Sequence, residues 1–362
     1  MLTSACWPTE ARVIDFTDSL LARIRDQILE QGPLRFDEYV DICLYDPTGG
    51  FYSRKGAVGR RGDFLTSPEI GPLFGTVLAR WIDKTWQRLG CPVDFLAVEV
   101  GAGRGTLARS ILAAEPEFLI SGRYLAVERS EALREDHPKG VESMHDLPSR
   151  SFKGVVFANE LLDNLAFRLL EASGLSWREL LVGVEGESLV EIMGDVVHVP
   201  DLSTAVDGVR IPLQEQAADW VERVLGLIEE GELLLFDYVS TMEELTERPW
   251  GDWLRTYQNH NRAGHPFHAP GTQDITVEVA VDRLPGQPEI VRQADFLRLH
   301  GIENLVDEGR WFSVEGAFRG DLSALRARSR IAESEALLDE TGLGAFAALS
   351  WKVDVSAFNE TR

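Results

Sequence analysis

The chain runs to 362 residues with 36 basic and 59 acidic side chains, so its formal charge is −23 with the 7 histidines neutral. Such a surface repels phosphate backbones, and no lysine- or arginine-rich run is long enough to lay a basic stripe on it; nucleic acid is excluded as an expected partner, a cationic one is not. With 44% hydrophobic and 26% charged residues, the chain can build two domains or one enlarged α/β domain, and disorder is excluded.

The three cysteines, Cys6, Cys43 and Cys91, are widely separated and odd in number, which suits neither a disulfide framework nor a metal knuckle. No apolar run approaches the roughly 18 residues of a membrane span. Glu10, Asp15 and Asp18 stand where a targeting peptide would carry basic residues without acids. The expectation is a cytoplasmic protein with no membrane partner.

Phe16, Leu20, Leu21, Ile24, Ile28 and Leu29 recur at helical spacing as far as Gly32-Pro33, predicting an amphipathic helix. The stretch 44–69 is rich in glycine, proline and aromatic residues, too long for a plain connector and too aromatic for disorder. Leu73, Val77, Leu78, Trp81, Ile82, Thr85 and Leu89 predict a second helix, closed by Gly90 and Pro92. Buried strands are then expected at 95–100, 123–128, 154–158 and 233–237, with a helix at 107–114: the pattern of a doubly wound parallel sheet. Residues 178–184 and 188–193 flank Glu185-Gly186-Glu187 like an antiparallel hairpin. The stretch 250–276 is again irregular, and helices are predicted from Gln293 to Leu299 and from Leu322 to Leu338.

The strongest local signal is Glu99-Val100-Gly101-Ala102-Gly103-Arg104-Gly105-Thr106-Leu107, where the first buried strand turns into a helix. A dinucleotide fingerprint spaces its glycines to seat a pyrophosphate on the helix N-terminus; here the third glycine comes one residue early, and Glu99 precedes the first. No Gly-Lys-Ser/Thr follows, so a phosphate loop fails as well. A carboxylate in that place suits a cationic group, and S-adenosylmethionine carries two, an ammonium and a sulfonium, beside a ribose diol. Glu128, ending the second strand with Arg129 beside it, stands where this fold places a carboxylate for ribose hydroxyls. His145 and Asp146, farther along, are candidates for the adenine edge, although such a pair equally suits a solvated loop.

With four blocks the chain resembles, over nearly its whole length, the MidA-like methyltransferases, a family that includes a mitochondrial complex I assembly factor. They are Tyr45-Asp46-Pro47 with Gly49-Gly50-Phe51-Tyr52; Gly62-Asp63-Phe64 with Thr66-Ser67-Pro68-Glu69; the glycine turn Gly101 to Leu107; and Asn159-Glu160-Leu161-Leu162-Asp163. Ala269-Pro270-Gly271 with Asp274-Ile275-Thr276 makes a fifth. The resemblance implies a Rossmann-like α/β methyltransferase using S-adenosyl-L-methionine, with residues 1–92 as N-terminal helices and a pocket-covering loop. Residues 93–362 would be the cofactor-binding domain, with insertions near 175–210 and 245–280. It implies that Asp63, Thr66, Ser67, Pro68 and Glu69 help close the pocket, and that the family's arginine methylation extends to this chain. Asn164-Leu165-Ala166-Phe167 departs from the family's usual Ala-Leu-Pro, and Val239 follows Asp237-Tyr238 in place of glycine, both on the acceptor side.

A guanidinium acceptor stays protonated near neutrality, so it calls for carboxylates that orient its nitrogens through paired hydrogen bonds. Asn159, Glu160 and Asp163, just beyond the strand at 154–158, are the candidate catalytic residues; as alternatives, Asp163 would cap a helix and Glu160 would be a surface acid. Ser67 would cap a helix that Pro68 begins. His260, His265 and His268 match no metal spacing, and no metal is expected. The acceptor is read as a protein or peptide with a cationic side chain, with a small molecule, or a cofactor-binding assembly factor without catalysis, as alternatives.

Overall fold

The computed structural model describes residues 20–53, 66–202, 206–258, 261–308 and 322–354. The chain forms two compact units, each assembled from three stretches: Met1–Phe64, Leu162–Trp220 and Tyr238–Leu284 in one, Leu65–Leu161, Val221–Asp237 and Pro285–Arg362 in the other.

The second unit is built on a sheet of seven strands: β1 (Leu96–Val100), β2 (Arg123–Val127), β3 (Glu142–Met144), β4 (Phe152–Asn159), β5 (Ile228–Asp237), β6 (Glu289–Arg292) and β7 (Ala347–Val353). Their hydrogen-bonded order is β3-β2-β1-β4-β5-β7-β6. The first five run parallel, and β7 lies antiparallel to both its neighbours. All five residues of β1 are buried, as a central strand covered on both faces requires. The order of succession reverses between β1 and β4, and open α/β sheets receive ligands at the carboxyl ends of the strands flanking such a reversal.

The helix Pro72–Arg88 belongs to this sheet unit, so the expected boundary at residue 92 does not follow the division seen here. The physical reason is its apolar face: Leu73, Phe74, Val77, Leu78, Trp81 and Ile82 join one core with Phe157, Phe236 and Tyr124 of the sheet. Phe74 meets Phe236 edge-on at 5.2 Å between centroids, and Trp81 meets Phe157 at 6.2 Å. The indole N–H of Trp81 donates to Glu232 of β5 at 3.0 Å, giving that buried carboxylate a partner beside Arg88 at 2.7 Å. The short edge strand β3, exposed at two of its three residues, carries no hydrophobic signal.

In the first unit the expected hairpin is observed as Ser176–Glu185 paired with Ser188–Val197, within a five-stranded sheet that also takes Leu34–Arg35, Arg168–Ser173 and Arg210–Leu213. Part of the stretch expected to be irregular folds as a three-stranded sheet of Leu254–Gln258, Asn261–Arg262 and Asp274–Val277. The helix Phe36–Tyr45 was not anticipated, though Phe36, Tyr39, Val40, Cys43 and Leu44 trace its buried face.

Candidate functional site

After β1 the chain turns through Gly101, Gly103 and Gly105, whose φ values of +69°, +53° and +74° lie in the left-handed region that only glycine occupies cheaply. Gly105 begins the helix Thr106–Ala113. A Cβ built on Gly103 would meet no heavy atom within 4 Å, so the turn opens on free space at that residue. Ala102 and Leu107 send their side chains into the core at 5% and 3% exposure, which leaves their backbone as what they offer a ligand. Thr106 supplies the first residue of the helix, and its carbonyl accepts from the Ser110 hydroxyl at 3.2 Å.

Glu128 follows β2 and meets the turn: its Oε2 accepts the Gly103 N–H at 2.9 Å and its Oε1 the Ser130 N–H at 2.8 Å. Burial raises its pKa against the pull of these two donors. Each carboxylate oxygen keeps a second lone pair for a further donor. Arg129 is exposed beside it, and its carbonyl accepts from Arg134 at 2.8 Å. Glu99 is 4% exposed and accepts the Tyr124 hydroxyl at 2.5 Å. Burial pushes its pKa up to about 8, with the Glu128 charge adding to the rise and the Tyr124 bond opposing it. Tyr124 was missed in the sequence, yet Ala126 pairs with Glu99, so alternation along β2 puts Tyr124 on the same face as that carboxylate.

His145 and Asp146 follow β3 as a mutual pair at 2.9 Å, 57% and 75% exposed. Asn159 closes β4 and donates from Nδ2 to Glu160 Oε1 at 2.8 Å. Glu160 itself adopts φ +52°, a left-handed conformation rare outside glycine, while its N–H donates to Phe236 of β5 at 2.8 Å. Next to it, Leu161 N–H donates to the buried Asp237 at 3.3 Å. Thus the carboxyl ends of β1, β2, β4 and β5 gather the glycine turn, Glu128, Asn159, Glu160 and Asp237 along one edge of a single sheet.

Of the block 66–69, Thr66 precedes the short helix Ser67–Ile70 without a side-chain cap, and Pro68 lies in its first turn. Ser67 is fully buried and donates to Gln293 Oε1 at 3.1 Å, while Glu69 is partly buried. Asp63 and His260 lie outside the described residues. His265 faces Glu191 at 3.6 Å and packs against Trp250 and Phe267, and no metal-binding group is found among the described residues.

A family model described as "Putative S-adenosyl-L-methionine-dependent methyltransferase" matches residues 77–301. The chain belongs to this methyltransferase family. It is 26% identical over 303 residues to a Drosophila melanogaster protein named protein arginine methyltransferase NDUFAF7 homolog, mitochondrial, covering 72% of this chain and 68% of the relative. The human protein arginine methyltransferase NDUFAF7, mitochondrial, is 25% identical over 344 residues, with 78% and 74% covered. A Burkholderia thailandensis protein crystallised with S-adenosyl-homocysteine superposes with a TM-score of 0.79 at 26% identity, over 94% of each chain. The Rossmann-like fold and the use of S-adenosylmethionine are therefore as the sequence led us to expect. The cytoplasmic expectation is overturned, since the relatives are named as mitochondrial proteins. It rested on acidic residues near position 10, and charge there says little about where a family acts. No helix among the described residues is long and apolar enough to cross a membrane.

In the first unit of this methyltransferase, two of the blocks that carry the resemblance meet in one network with Asn164, the first residue of the stretch that departs from the family pattern. Tyr52 donates to Asn164 Oδ1 at 2.9 Å and lies 3.0 Å from Asp274 Oδ1, and Asn164 Nδ2 donates to Asp274 at 3.1 Å. Tyr45 stacks on Tyr52 at 5.6 Å and donates to the Asn164 carbonyl at 3.2 Å. Burial first, then the charges of Asp274 and Asp163, raise the Tyr52 pKa well above its ordinary value. Asp163, 3% exposed in the short helix Leu162–Asn164, is thus a buried acid and no surface cap.

Proposed function

We propose that the chain methylates an arginine of a protein or peptide, with Gly101, Gly103, Gly105 and Glu128 holding S-adenosylmethionine and with Asn159 and Glu160 serving the acceptor. The observation that carries the reading is Glu160. A residue other than glycine is kept in the left-handed region at the end of β4, beside the β1 turn, and strain of that kind collects where a side chain must be aimed. The open space over Gly103 and the remaining lone pairs of Glu128 fit the methionine part and the ribose diol of the cofactor.

The bound cofactor supplies a methyl carbon already activated by the sulfonium, so the protein's work is alignment and charge. Glu160, steadied by the Asn159 amide, would pair with the guanidinium and stabilise charge as its proton leaves. Glu99, buried on Tyr124 with its pKa pushed up to about 8, is the neutral acid near pH 7 and would offer the cofactor's ammonium no charge. The relatives named as arginine methyltransferases support the same acceptor.

The acceptor is found by comparing the proteome of a strain lacking this protein with its parent, searching for arginines that lose one or two methyl groups. With that acceptor in hand, Glu160→Gln is expected to slow single-turnover transfer by a hundredfold or more, about 3 kcal/mol. Turnover near that of the parent protein would reject the guanidinium role in favour of a neutral, small acceptor.

A further inference from the structure

The segment after β2 does more than connect it to β3. His137 Nε2 lies 3.0 Å from the Gly103 carbonyl; a carbonyl only accepts, so this nitrogen carries the proton and Nδ1 is the bare one. That Nδ1 is buried, with no hydrogen-bond partner among the described residues. The same stretch is tied down on several sides. Arg109 donates to the Asp136 carbonyl at 2.6 Å and to the Arg104 carbonyl at 2.7 Å, and Arg104 pairs with Asp136 at 3.1 Å. Arg134 donates to the Glu128 carbonyl at 2.6 Å. Pro138 Cδ stands 2.8 Å from where a Cβ on Gly105 would be, so this segment lies directly behind the turn.

We infer that His137 is a positioning residue for the cofactor: its Nε2–H pins the carbonyl on one side of Gly103 while Glu128 pins the N–H on the other. Both peptides flanking the Gly103 Cα are then fixed, and with them a conformation that a glycine would otherwise leave freely. The arrangement holds the turn in its receiving geometry before the cofactor arrives, so less ordering is left to the binding step. Burial, reinforced by the charges of Arg109 and Arg134, lowers the His137 pKa, opposed first by the bond to the Gly103 carbonyl and then by Asp136, and the neutral ring still donates through its Nε2–H.

The inference rests on the glycine turn being the cofactor seat, and its test separates the two. Titration calorimetry with S-adenosyl-homocysteine is run on the parent protein and on His137→Gln, His137→Leu and Gly103→Val, with hydrogen exchange of the peptide spanning 101–107 measured without ligand. Glutamine places an N–H close to the Nε2 position; leucine removes the donor and keeps bulk. His137→Leu is expected to weaken binding about five- to tenfold, the worth of one hydrogen bond, and to speed exchange across the turn, while His137→Gln restores both. If the leucine variant does not fold, His137→Asn, whose amide is too short to reach, takes its place against glutamine. Equal losses in the glutamine and leucine variants, or parent-like affinity and exchange without the donor, would overturn the positioning role. Undiminished binding by Gly103→Val would instead reject the seat itself.

Discussion

The glycine turn of the sheet unit and the Tyr52–Asn164–Asp274 network of the other unit are built on opposite principles. The turn is made of backbone: three left-handed glycines, their N–H and C=O groups, and one carboxylate that reads the backbone directly. The network is made of side chains, two stacked tyrosines and an amide around one buried acid. A backbone seat recognises what every S-adenosylmethionine enzyme must recognise and tolerates change in its side chains. A side-chain network ties its identity to particular residues, so one replacement such as Asn164 is absorbed only by new bonds. Under the proposed assignment, cofactor use rests on backbone geometry that a family sharing about a quarter identity can keep.

The largest expected effect breaks the backbone seat. Gly103→Val puts a β-branched side chain at φ +53° and into the open space, and S-adenosyl-homocysteine affinity should fall more than a hundredfold, about 3 kcal/mol or more by calorimetry. Retained affinity would show that the cofactor lies elsewhere. On the side-chain network, Asp274→Ala removes the acceptor of the Asn164 amide and the Ile275 N–H and strips a partner from Tyr52; stability should drop by about 2–4 kcal/mol, seen as a lower Tm. A change of only a few tenths would mean the network is solvated and does not hold the fold. Glu128→Ala should cost cofactor binding about 1.5–3 kcal/mol while circular dichroism stays unchanged, since only hydrogen bonds to one carboxylate are lost.

A last prediction sharpens the comparison through pH. Glu99 has its pKa raised from 4.5 to about 8, so the folded state holds this proton more tightly than the unfolded chain does. Its contribution is then fully present below about pH 4.5 and is lost as pH rises through about 8. Glu99→Gln keeps an acceptor for Tyr124 and removes the titration; the Tm advantage of the variant should therefore be near zero at about pH 5 and grow by about pH 9. An advantage independent of pH would mean that Glu99 is not held neutral by its burial.

Much of the sheet unit was legible because buried parallel strands and helical periodicity leave direct traces: the helix expected at 107–114 is Thr106–Ala113, and the two late helices have the expected ends. Glu128 could be placed because a strand end after a glycine turn has one outcome in such a sheet. The exposed β3 gives no pattern, and the first unit is stitched from three distant stretches whose partners no local window sees. Ser67 shows the same limit. Its position before a proline suggested a cap, but its hydroxyl is used by Gln293, more than two hundred residues away. Asn164 stood out only as a departure from the family pattern, and its role emerges from contacts with Tyr52 and Asp274 that the fold alone creates.

The central claim is that cofactor and acceptor are served by different residues along one sheet edge. The most direct test is titration calorimetry of S-adenosyl-homocysteine against Glu160→Gln, with Glu128→Ala alongside. The prediction is affinity within a few tenths of a kcal/mol of the parent protein for Glu160→Gln, because its carboxylate serves the acceptor, against the loss of about 1.5–3 kcal/mol for Glu128→Ala. Parent-like binding by Glu128→Ala together with weakened binding by Glu160→Gln would contradict the account, since Glu160 would then hold the cofactor.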